Sequence, residues 1–391
     1  MNAREWRAAC ALTFVSVLRM LGMFAILPVL ALYADQLPGG ATAIQVGLAI
    51  ALFGLVQAPL QIPFGIASDH FGRKPVVIGG VLLLAAGSFV AGRAQDIQWI
   101  MLGRALQGAG AVSAVLAAWL ADTTRDEVRA QAMAVHGAGV GLSFVLALVL
   151  GPVLAGSIGV KGIFSLTGVL ALLSIPVLLA GVGKAPIQAP ALATTNDGAL
   201  RTLRERRLLG LNGGVFLLNA MMTCLFAAMP FALVDTLGLP AARHWMFYLP
   251  VLLGSLLLVW PLLRWQGLTP VRGLMFQGAV ALLGLSLGLA AIALQSRATL
   301  VITIVLFFIA YGYLQATMPA LVSHVAAPRQ RGLALGVFNT AQVLGAAIGN
   351  LIGGLARQQG GTAATLLAAA LLSVIWLSFV RSGRLADRKT N

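Results

Sequence analysis

Apolar runs of about twenty residues recur along the whole chain, each closed by a short cluster of charged or turn-forming residues. No other feature constrains the fold as much. In lipid every backbone N–H and C=O must be satisfied within the chain, so runs of this length cross a bilayer as helices. Cutting at the polar clusters gives twelve spans, at roughly 11–34, 44–68, 76–94, 98–121, 131–155, 162–182, 209–234, 245–263, 273–294, 299–325, 332–355 and 362–380. Apolar residues reach 59% before glycine is counted and charged residues only 9%, against about 45–50% with glycine and about 25% in soluble domains. A surface this poor in polar groups must face lipid. The segment after Met1–Arg7 is a retained first span rather than a signal peptide, because its apolar run is too long and no small-residue cleavage site breaks it before Asp35. The fold class is all-α integral membrane, with the lipid bilayer as its surroundings.

Several function classes fall away. The net charge of +15 is spread singly or in small groups between apolar runs, which is not the basic face of a nucleic-acid partner. Cys10 and Cys224 are the only cysteines, so neither a disulfide framework nor a metal-ligand cluster is expected. No Gly-x-x-x-x-Gly-Lys-Ser/Thr loop marks an ATP-driven pump. A membrane-embedded enzyme needs His, Asp, Glu or Ser at catalytic spacing, and none is visible. No cofactor is expected.

The connections are short except from Lys184 to Leu208, a polar, proline-broken stretch that ends in the basic run Arg201–Arg207. It divides the chain into a six-helix bundle at 1–183, a linker at 184–208 and a second six-helix bundle at 209–391 with a short basic tail. Nineteen of the 26 Lys and Arg fall on one side of the alternating spans and five on the other, while Arg19 and Arg104 lie within spans. That bias puts both termini and the linker in the cytoplasm of a bacterial-type inner membrane. The halves also echo each other. Phe24-Ala-Ile-Leu-Pro28 recurs 202 residues later as Phe226-Ala-Ala-Met-Pro230, and the same offset relates Arg129–Val135 to Arg331–Val337 and Gly151 to Gly353. Paired six-helix halves are the architecture of a rocking transporter with a binding site at the interface near the midplane. A channel has no need of the duplication.

Between spans two and three lies Gly65-Ile-Ala-Ser-Asp69-His-Phe-Gly72-Arg73-Lys74-Pro75. Its glycines permit close packing and a tight turn, and its acid and bases can pair with each other or with helix ends. The loop resembles the signature Gly-x-x-x-Asp-x-x-Gly-Arg-Lys of the major facilitator superfamily. That resemblance implies that Asp69 and Arg73 latch the two halves in the outward-open state, with Asp122 as the acid ending span four and the start of span eleven near Asp69. The implied gating cluster is Gly65, Asp69, Gly72, Arg73, Lys74 and Asp122; the alternative is charges that only set topology. Arg104-Ala-Leu-Gln107-Gly108 resembles a second motif of the family, Arg-x-x-Gln-Gly. Gly141, Gly151, Pro152 and Gly156 in span five resemble the antiporter motif Gly-x-x-x-Gly-Pro-x-x-Gly-Gly, with Ala147 and Ala155 in place of two glycines. Together with Leu18–Leu30 and Gln61–Gly65, these motifs are similar to the YajR-like branch of the twelve-helix drug:proton antiporters. The short tail ending at Asn391 implies that the soluble domain some members carry after the last span is absent.

Proton antiport needs a titratable group, yet none of the 11 acids lies in the middle of a span. Candidates for proton coupling are Arg104 and Arg19 inside spans, Asp35 and Asp235 at the outer ends of spans one and seven, and His136 one turn inside span five. For Asp35 and Asp235 the alternative is a solvated loop cap; for His136 a structural histidine; for each arginine a packing role bonded to carbonyls. The family implies a cavity lined by Gln57, Gln61, Asn219, Met222, Phe226, Trp260, Tyr311, Gln315, Asn339 and Gln342, although amides inside a bundle also serve as interhelical glue. The expectation is a proton-coupled exporter of small amphipathic or drug-like compounds, functional as a monomer. A carrier of sugars, amino acids or lipids is the alternative, because gate motifs describe machinery rather than cargo.

Overall fold

A computed structural model describes residues 1–34, 37–38, 40–110, 112–182, 204–268, 272–326 and 330–382. Asp35, most of the linker and the basic tail lie outside the described residues. Each apolar run is a helix, and polar residues fix where helices start. Asn2 and Glu5 form a reciprocal capping box at α1 (Ala3–Ala25), and Thr42 and Gln45 form another at α3 (Ala43–Phe71). The Asp96 carboxylate accepts from the Gln98 and Trp99 amides to start α5 (Ile97–Ala109). The other helices are α2 (Leu30–Ala34), α4 (Arg73–Gly92), α6 (Ser113–Asp122), α7 (Asp126–Gly181), α8 (Arg206–Asp235), α9 (Trp245–Leu268), α10 (Arg272–Ile292), α11 (Arg297–Val325) and α12 (Arg331–Ser382).

Among the described residues, ten helical stretches are long and apolar enough to cross a membrane. Ten and twelve are reconciled by the two longest, of 55 and 46 residues, about twice what one crossing needs. Each is two spans joined at glycine: α7 at Gly159 (φ 71°, ψ 171°) and α12 at Gly360 and Gly361 (φ 67°, ψ −153° at the latter). Gly159 and Gly361 are themselves 202 residues apart, and both hold a backbone conformation that glycine adopts without a Cβ penalty. Two expected spans are broken instead. Span one splits into α1 and α2 around Pro28, which has no N–H to donate. Span four splits at Gly110, whose position leaves no space for a Cβ beside the Gly80 carbonyl and the Leu84 amide, and restarts at Ser113 as α6.

The chain divides into two compact units, Met1–Leu192 with Ala241–Trp245, and Ala193–Pro240 with Met246–Asn391. In the first, both arms of α7 pack along α1. Gly139 meets Thr13 and Gly151 meets the Ala25 carbonyl, so the first arm runs parallel to α1. Thr167 meets Gly22 and Gly181 meets Ala11, so the second arm runs back. In the second unit α8 takes the place of α1. Gly345, Gly349 and Gly353 lie against Phe216, Ala220 and Ala227 in parallel order, and the returning arm brings Trp376 back to Gly214. The Gly151–Ala25 contact shifted by 202 residues is the Gly353–Ala227 contact.

Small residues let these backbones approach within side-chain distance, the usual basis of helix association in lipid. The first unit closes over Leu12, Phe53, Leu84, Leu116 and Trp119, the second over Leu218, Met221, Phe307, Leu314 and Trp376. Leu83, Leu142, Leu173, Leu257, Leu285 and Leu371 are exposed instead, an apolar outer surface that water does not suit and a bilayer does.

Candidate functional site

Gly72 joins α3 to α4 with φ 90°, serving as C-cap of one and N-cap of the other. This turn places Arg73 back over the end of α3. Its guanidinium pairs with Asp69 at 2.6 Å and, through Nε, with Asp122 at 2.9 Å. It also donates to the Ser68 hydroxyl, which in turn donates to the Gly65 carbonyl at 2.7 Å. Asp69 is half exposed, whereas Arg73 and Asp122 retain only 20% and 17% of their side-chain surface. Gly65, Asp69, Gly72, Arg73 and Asp122 therefore form one connected cluster; Lys74 stands beside it, partly buried.

A second pair braces the same end of the unit. Arg125 donates to the buried Glu5 carboxylate at 2.8 Å, tying the turn between α6 and α7 to the start of α1. The carboxylate holds the Arg125 guanidinium above its ordinary pKa by hydrogen bonding. Thr123 and Thr124 donate into the last turn of α6, so the residues after Asp122 are fastened on both sides.

The two arginines inside spans differ sharply in their surroundings. Arg104 donates to Gln107 at 3.0 Å and to the carbonyls of Ala49 and Ile50 at 3.4 and 3.5 Å, and its guanidinium lies 4.8 Å from the Phe53 ring centroid. Gln107 passes the chain on to Ser88 and Leu84. That is the geometry of the packing alternative. Arg19 is as deeply buried, yet it bonds the Ser113 hydroxyl with one nitrogen and its Nε has no partner. Gln57 donates to the same hydroxyl at 2.9 Å. His136 lies within electrostatic reach of Arg19, and its Nδ1 is also unbonded.

The profile of the Major Facilitator Superfamily matches residues 12–349. The inner membrane transport protein YajR of Escherichia coli K12 is 38% identical over 97% of this chain and 83% of its own. The chain belongs to the Major Facilitator Superfamily. The multidrug resistance protein MdtH of Yersinia pestis is 31% identical over 90% of this chain and 87% of its own. A solved structure of a bacterial homologue of the human lysosomal transporter Spinster covers 98% of this chain and 97% of its own at TM-score 0.78 with 15% identity. The nucleoside transporter NupG gives TM-score 0.74 over 96% and 99% at 15% identity. At that identity both speak for the fold alone, the all-α major facilitator fold, while the family profile and the YajR relative make the chain a multi-pass membrane protein of a family of transporters rather than enzymes.

Within that fold the remaining expected residues are scattered. In the antiporter segment Gly151 makes the close contact to α1 and Gly156 meets Ala242 of the same unit, while Gly141 faces open space. Pro152 is buried. Asp235 is exposed at the end of α8, beside a cavity of about 400 Å³ lined also by Thr236, Gln295 and Thr362. Of the cavity candidates, Asn219 and Tyr311 meet at 3.5 Å, and Phe226 packs against Tyr248 and Phe308. Met222 is buried, Gln315 has an unbonded side-chain oxygen, and Gln61 and Gln342 are partly buried. Asn339 and Trp260 are exposed, the latter with the Arg264 guanidinium 5.1 Å from its ring centroid. Sequence reasoning missed Ser113, the hydroxyl that Arg19 and Gln57 share, and Ser68. The only signal for Ser113 was the Gly108-Ala-Gly110 run before it, which is where the helix breaks.

Proposed function

We propose that this protein is a proton-coupled exporter of small amphipathic compounds in the bacterial inner membrane, multi-pass with both termini cytoplasmic, and acting as a monomer. The observation that carries the reading is the Gly151-Pro152 junction of the first arm of α7. Gly151 fits its helix directly onto the α1 backbone at Ala25, and Pro152 follows where the next backbone donor is missing. Close packing beside a missing hydrogen bond gives a joint that bends without unpacking, as an alternating carrier needs. The similarity to a protein named for multidrug resistance supports the export direction.

In this reading the Asp69–Arg73–Asp122 cluster is the gate. The Asp69–Arg73 pair lies at helix ends with Asp69 half exposed, so it can break and re-form against water at little cost, as surface ion pairs do. A buried pair would resist each cycle with a penalty of several kcal/mol per ion, roughly. The test is export of fluorescent dyes from cells expressing the protein, with and without a protonophore. Gradient-dependent export that Asp69→Asn removes supports the reading. Gradient-independent export removes the proton coupling, and transport of sugars or lipids in place of dyes moves the protein to the carrier alternative.

A further inference from the structure

Inside the first unit, four groups from three elements converge with hydrogen-bond donors and, among the described residues, no acidic partner. Arg19 of α1 is 3% exposed and Gln57 of α3 is 2% exposed. Both donate to the Oγ of Ser113, the first residue of α6. A hydroxyl oxygen that accepts from two donors has only its own proton left to offer. The fourth group is the start of α6 itself. The helix begins in the interior of a span because span four is broken after Gly110, and its N-cap, Val112, offers no side-chain cap to its first turn. A helix start is the positive end of its dipole, with amide donors unsatisfied from within.

Charge sharpens the case. A guanidinium stays protonated in proteins, and a charge buried in a span is tolerated only with a partner. Among the described residues no carboxylate lies within ion-pairing distance of Arg19, and its Nε has no hydrogen bond. A void of about 10 Å³ beside it, lined by Leu18, Thr167 and Ser174 among others, has room for no more than one water, which supplies a hydrogen bond and no charge. Arg104 marks the contrast, since three acceptors and a ring face occupy it. Ser113 is only partly buried, so the donors can be reached from its side.

We propose that Arg19, Gln57, Ser113 and the N-terminus of α6 form an anion subsite, and that the transported compound carries a carboxylate, sulfonate or phosphate. A bound anion supplies the missing countercharge to Arg19 in the loaded protein. The inference rests on the transporter reading above and names its substrate class.

Binding is tested without transport, by thermal unfolding of the purified full-length protein in a non-ionic detergent. The probes are 1-naphthoate and 1-naphthalenesulfonate, the size-matched cation 1-naphthylmethylammonium, and chloride. The organic anions are expected to raise the unfolding midpoint in a saturable way and the cation to leave it unchanged. Arg19→Gln should weaken the apparent anion affinity at least tenfold, Ser113→Ala should weaken it less, and Arg19→Lys should retain part of it. Should Arg19→Gln not fold, Ser113→Ala and Gln57→Leu carry the same comparison. Stabilisation equal in wild type and variants, equal for anion and cation, or absent for both organic anions overturns the subsite. Stabilisation by chloride that matches the organic anions overturns the substrate assignment and leaves a bound inorganic ion. Absent or gradient-independent dye export, by contrast, overturns the exporter reading while the binding result stands.

Discussion

Arg73 holds two carboxylates at once, so its removal leaves Asp69 and Asp122 facing each other with no cation between them. Arg73→Ala and Asp69→Asn are both expected to cut transport at least ~10-fold, the equivalent of about 1.4 kcal/mol. Asp69→Asn should cost the folded protein only ~1 kcal/mol or less, because Asp69 is half exposed, and Arg73→Ala should cost more, because it leaves the largely buried Asp122 without its partner. Transport into vesicles, set beside the thermal midpoint of the purified variants, checks both halves of this expectation; wild-type transport in both variants removes the gate. Arg104 should behave in the opposite way. Arg104→Met strips donors from Gln107 and two carbonyls, at roughly 1–3 kcal/mol for a buried polar group left unpaired. Yield and midpoint should fall while transport per folded molecule changes little. The two roles were unequally legible. Asp69, Gly72 and Arg73 lie within one turn at fixed spacing, so their pairing can be read from the chain. Arg19 and Arg104 look alike as sequence, each a charge inside an apolar run, and only the acceptors around each head separate them.

At the scale of helices, glycine decides where the chain turns and how closely it packs. Gly159 and Gly361 sit at equivalent hinges with positive φ and extended ψ, a region that side chains with a Cβ enter at a cost of about 1–3 kcal/mol. Gly159→Ala and Gly361→Ala should each lower stability by about that much, read from thermal unfolding, and by similar amounts because the two hinges repeat one design. Gly151→Leu and Gly353→Leu should cost about 1–3 kcal/mol or more, since a large side chain must push α1 or α8 away. The span count and the duplication could be read because apolar length and turn residues are local signals. The break at Gly110 could not. A glycine inside an apolar run is compatible with an unbroken helix, and the contact with Gly80 and Leu84 that occupies its Cβ space belongs to tertiary packing. Ser113 became the centre of a site only through that break.

For the whole molecule, the identity of the cargo sets how many charges cross the membrane per cycle, and that number can be measured. One proton entering in exchange for one cation leaving moves no net charge. One proton entering in exchange for one monovalent anion leaving moves the equivalent of two positive charges inward. Each charge is worth roughly 2.3 kcal/mol per 100 mV, so the anion cycle gains about 4.6 kcal/mol from that potential and the cation cycle nothing. Everted or reconstituted vesicles loaded with an anionic or a cationic dye separate the two. With the anionic dye, collapsing the electrical potential by valinomycin and potassium should slow transport even when the pH gradient is kept, and nigericin should slow it further. With the cationic dye, valinomycin should have no effect. The Arg19-centred donors predict that the first behaviour is this protein's and that Arg19→Gln loses it. Transport of the cation alone, indifferent to valinomycin, would retain the exporter and return Arg19 to a structural role.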